Sequence, residues 1–107
     1  MGFRRTKDEA KQSRVWKRFI SDNRQLLADI GVPEDVLATQ RAFDYFMMHG
    51  EYPGSPVLIE PAKLSPERKA LIRTLVLNYF RSGLGDPGVS LLPPPEVDEL
   101  RREAGLD

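Results

Sequence analysis

The sequence predicts an all-α protein: a compact three-helix core, a long proline- and glycine-rich connection, and a short fourth helix near the C-terminus. Three observations point there. Apolar residues recur at steps of three and four through most of the chain. Glycine and proline gather at the ends of those runs, where helices stop and start. The longest aliphatic stretches, Leu75-Val76-Leu77 and Val57-Leu58-Ile59, are short, and only the second reads as extended. A chain of 107 residues can close one hydrophobic core and not two, so residues 1–107 form a single helical domain.

The first helix covers about 6–30. Val15, Trp16, Phe19, Ile20, Leu26, Leu27 and Ile30 share one face, with Asn23 the one polar residue in phase. Trp16 is in step with Phe19 and Ile20, which makes it core rather than a stacking platform. Gly31 closes the helix, and Pro33 cannot continue its hydrogen-bond ladder. Pro33 instead suits the first turn of a second helix, about 33–49, with Glu34 and Asp35 at the positive end of its dipole and Gly50 beyond its end.

The stretch from Gly50 to Leu64 holds two glycines and three prolines, which excludes a long helix. Val57-Leu58-Ile59 is read as an extended strap across the core, with no second strand-like segment to pair with. Ser65, Pro66 and Glu67 then form an N-terminal signature for a third helix, about 65–82, which buries Leu71, Ile72, Leu75, Val76, Tyr79 and Phe80 and stops at Gly83. A tail over 84–107 follows. Turn residues lead to Pro93-Pro94-Pro95, extended up to the last ring, and Pro95 opens a short helix with only Val97, Leu100 and Ala104 to bury. So little apolar surface predicts weak docking or fraying. Leu91 to Glu96 lacks a full PxxP motif and reads as a spacer into that helix, not as a linear ligand.

Sixteen basic and sixteen acidic side chains cancel, but they are not evenly spread. Residues 1–24 carry eight basic and three acidic groups, 25–60 one and six, 61–85 five and one, and 86–107 two and six. Alternating blocks suggest that neighbouring helices attract along their rims. They also leave room for a basic surface shared by the first and third helices. Arg4, Lys7, Lys11, Arg14 and Arg18 stack into one stripe on the first helix, the kind of feature that can follow a phosphate backbone.

Catalytic chemistry finds little support. With no cysteine, disulfides, thiolate nucleophiles and cysteine-based metal centres are excluded. The sole histidine, His49, sits at a helix end where the dipole favours a cation, so a capping role is expected. Asp44 borders the main apolar face, where it should accept a hydrogen bond or pair with Arg68 or Arg73. No serine lies in a nucleophile-elbow sequence, and no glycine-rich strand-to-helix turn cradles a phosphate. No metal site, cofactor or membrane span is expected, and the cytoplasm is the default compartment. Residues 1–6 match the short N-myristoylation pattern, which acts only in a eukaryotic host and is read as coincidence.

The second helix is apolar on two sides. Val36, Phe43, Phe46 and Met47 with Gln40 make one face; Leu37, Tyr45, Met48 and the stem of Arg41 make the other. Such a helix is either central in the fold or part of an interface. The reading we carry forward is a non-enzymatic module that binds a protein partner, or itself, through Leu37, Arg41, Tyr45 and Met48. The alternative is a nucleic-acid-associated protein that uses the stripe Arg4, Lys7, Lys11, Arg14 and Arg18.

Overall fold

The protein is described by a computed structural model covering residues 7–54 and 57–106, with side chains from residue 10 onward. Among the described residues five α-helices follow one another, α1 (Lys7–Asp22), α2 (Arg24–Ile30), α3 (Gln40–His49), α4 (Pro66–Arg81) and α5 (Pro94–Glu103), with one 3-10 turn at Pro61–Lys63. The fold is all-α; among the described residues there is no strand and one isolated antiparallel bridge, between Glu51 and Leu58. No helix there is long and apolar enough to cross a membrane.

The helix expected over 6–30 is two helices, and the break falls on Asn23. Its backbone leaves helical geometry at φ −110°, ψ 12°. Its side-chain amide donates to the Phe19 carbonyl at 2.8 Å and accepts from Asn78 Nδ2 on α4 at 2.8 Å. An asparagine that bonds its own preceding turn competes with the helix ladder and bends it. Asn23 is the only buried polar residue among those described, and its second bond fixes the bend against α4. Gly31 closes α2 as expected, with φ 98°, and Arg68 Nη2 donates to the terminal Ile30 carbonyl at 3.1 Å.

The second helix begins at Gln40 rather than at Pro33. Residues 33–38 make tight turns instead, with Val36 N donating to Pro33 O and Leu37 N to Glu34 O. Thr39 is extended and its hydroxyl accepts from Ala42 N at 3.1 Å, so a β-branched N-cap starts the helix where periodicity alone could not. The turns carry Val36 and Leu37 into the core.

At Gly50 the chain reverses in the left-handed conformation, φ 71°. Ile59 N donates to Gly50 O, and the strap lies as anticipated: Val57 and Ile59 are buried, Leu58 is exposed. Its neighbour is the chain just after α3, through the Glu51–Leu58 bridge.

The central helix is α4. It packs against α2 on one side and α5 on the other, and its buried Tyr79 meets Phe19 of α1 and Phe43 of α3 at ring-centroid distances of 5.5 and 5.9 Å. The tail is firmly docked and not frayed. Leu91, Leu92, Val97 and Leu100 are all buried, and Ser90 N donates to Met47 O at 2.9 Å. Charge completes the seam: Glu96 pairs with Lys69 at 2.8 Å and Arg73 at 3.0 Å, Glu99 with Arg73 at 3.6 Å, and Glu103 with Arg81 at 3.9 Å. The stripe of three residues underestimated the docking because Leu91 and Leu92 belong to no helical period.

Candidate interaction surface

The inner face of α3, formed by Ala42, Phe43, Phe46 and Met47, lies in the core. The outer face carries Arg41, Tyr45, Met48 and His49 into solvent, with Tyr45 36% and Met48 40% exposed. Of the four residues that the sequence placed on this face, the structure brings three together. Leu37 is excluded: it precedes the helix, in the 33–38 turns, and is only 7% exposed.

Around Tyr45 the rings form a short ladder. His49 lies 4.3 Å away on one side, and Tyr52 meets it edge-on at 6.1 Å. Two shallow depressions flank the ring. One, about 570 Å³, is bounded by Gln40, Arg41, Asp44, Tyr45, Met48 and His49. The other, about 240 Å³, runs from Thr39 and Arg41 past Tyr45 to Tyr52 and Pro53. Arg41 borders both. Tyr52 escaped the sequence reading because the turn at Gly50 folds it back beside Tyr45, and no periodicity crosses such a turn. His49 does occupy the last turn of α3, but Gly50 closes the helix and the imidazole lies against Tyr45.

Asp44 joins this surface to the core. Tyr79 Oη donates to Asp44 Oδ1 at 2.7 Å, so the partner is a core phenol and not Arg68 or Arg73, which bond to Ile30 and to α5. Burial pushes the Asp44 carboxyl above its usual range, partly offset by the tyrosine's hydrogen bond. The Tyr79 hydroxyl is pushed far up, first by burial and then by the adjacent carboxylate. While Asp44 is ionised the phenol is the donor of the pair. Among the described residues no three metal-ligating side chains come together.

The second predicted site runs along α1. Arg4 lies outside the described residues, and Lys7 opens α1 without a described side chain. Lys11, Arg14 and Arg18 are exposed along α1, joined by Lys17. Trp16 packs on the core from the other side, its Nε1 buried with no acceptor among the described residues. Comparison with protein-family models, with curated proteins and with solved structures finds no match for this chain.

Proposed function

We propose that the chain is a small, non-enzymatic helical module of the cytoplasm that engages a protein partner, or a second copy of itself, through the outer face of α3. The observation that carries this reading is the grouping of Tyr45 and Met48, both exposed, with Arg41, His49 and Tyr52 around them. Single exposed apolar side chains are ordinary on any surface; here Tyr45 and Met48 lie one turn apart on one helix face, with the ring of Tyr52 folded against Tyr45 from beyond the helix. The fold does not need this face, because α3 already buries its opposite side. Tyrosine and arginine are enriched among binding hot spots, and methionine adapts its shape to a partner.

The double variant Tyr45→Glu with Met48→Glu tests the reading. Met48 is exposed and Tyr45 is held only by ring contacts with His49 and Tyr52, so the variant should stay folded at a cost of about 1–2 kcal/mol. Either a dimer seen by light scattering becomes a monomer, or a protein captured from host lysate by the parent is lost. A parent that is monomeric at every concentration, with an identical captured set for both proteins, overturns it.

A further inference from the structure

The four charge blocks meet different fates. In 61–85 most of the cations reach another element, Arg68 the Ile30 carbonyl, Lys69 and Arg73 Glu96, and Arg81 Glu103, while Lys63 makes only a local, exposed pair with Glu60. On α1 the opposite holds. No described carboxylate lies within ion-pair distance of Lys11, Arg14 or Lys17, and Arg18 reaches only Asp22 of its own helix, at 3.7 Å, both side chains well exposed. The sequence from Ala10 to Ser21 contains no acidic residue.

The outward arc of α1 is also free of large apolar groups. At 100° per residue Ala10, Lys11, Arg14, Lys17, Arg18 and Ser21 share it, while Phe19 and Ile20 point into the core. Such an arc has no aromatic or aliphatic anchor for a protein interface and no wedge for a bilayer. What it offers is a straight line of cations. Lys11 to Arg18 spans about 10 Å of helix, the rise of about three phosphates along one duplex strand.

We propose that this outward face of α1 binds the phosphate backbone of duplex nucleic acid without reading its sequence. The site is separate from the outer face of α3. Lys11, Arg14, Lys17 and Arg18 each neutralise a backbone charge, and affinity comes from displaced counterions.

The test uses the full chain and a fluorescein-labelled 20-bp duplex DNA, read by anisotropy. Three to four phosphate contacts predict a slope of log K against log salt of about −2.7 to −3.6, a loss of about 40- to 150-fold between 50 and 200 mM salt. Arg14→Gln with Arg18→Gln should weaken binding about tenfold or more at 50 mM salt, whereas Lys63→Gln with Arg102→Gln, the same change in charge elsewhere, should stay within about twofold. Arg14→Lys with Arg18→Lys should restore most of the affinity, and duplex RNA should bind within a few fold of DNA. The Tyr45→Glu, Met48→Glu variant should bind duplex as the parent does, so the two readings fail separately. Absence of binding at 50 mM salt, binding that ignores salt, or equal losses in the two Gln pairs overturns the proposal. So does a loss on stripe substitution confined to phosphatidylserine vesicles.

Discussion

Among the described glycines, Gly50 is the one where a side chain has least room. A Cβ built there lies 2.6 Å from the Ile59 carbonyl oxygen, and φ is +71°. Gly54 shares the positive φ, +81°, but has open space around it. Gly50→Ala should therefore cost about 3 kcal/mol or more and Gly54→Ala only the backbone penalty of about 1–2 kcal/mol, compared by urea denaturation. Equal losses would show that the strap is not held against Gly50. The same strap explains why a glycine read from the sequence only as a helix stop also positions Ile59 in the core.

For the helices, the decisive contrast is between Leu37 and Met48. Periodicity puts both on the outer side of one helix; the Thr39 cap puts them in different environments. Leu37→Glu should destabilise the fold by about 3 kcal/mol or more, because it buries a carboxylate without a partner, while Met48→Glu should leave the melt within about 0.5 kcal/mol. Equal melts for the two variants would return Leu37 to the surface. Capping chemistry together with apolar spacing marked some helix ends, where Ser65 and Pro66 start α4 and Gly31 ends α2, and misled at Pro33, where turns precede Gln40. Helices were illegible where a polar side chain overruled the spacing. Asn23 was visible as the lone polar residue in phase, but its bond to Asn78 is a contact across 55 residues, and no local pattern encodes it. The exposure of Lys11, Arg14 and Arg18 on α1 and of three of the four α3 positions was readable because exposure on a helix follows from phase. The Asp44–Tyr79 pair and the fold-back of Tyr52 were not, since both depend on how helices meet.

Across the whole molecule, ionisation acts on stability with two opposing signs. Hydrogen bonding and charge from Lys69, with Arg73, hold the Glu96 carboxyl below its usual range. At Asp86 burial acts upward but is outweighed by Arg101 and the Gly88 amide, so that carboxyl is also held down. Both therefore stabilise the fold while ionised, and that contribution disappears as pH falls from the ordinary carboxylate values, 4.5 and 3.8, through the lower folded ones. Asp44 is raised, so its charged form opposes folding and protonation relieves it as pH falls. Thermal melts from pH 7 to pH 2.5 should show a shallower acid decline for Glu96→Gln than for the parent, and a steeper one for Asp44→Asn. Asparagine keeps an acceptor for Tyr79 Oη, so the melts remain comparable. Parallel curves for all three proteins would remove these groups from the acid response.

The central place of α4 has a consequence for synthesis. Its α2 flank is made before it and its α5 flank after it, and α5 ends roughly 22 residues beyond α4. At about 5–20 residues per second, α4 would wait about 1–4 seconds on the ribosome with one side uncovered. During that interval the surfaces later covered by Leu91, Leu92, Val97 and Leu100 are open to any nascent-chain chaperone. A chain cut off after Pro93 and tethered to the ribosome by a linker long enough to clear the exit tunnel should be more readily cut by protease within α4 than one carried through α5 on the same linker.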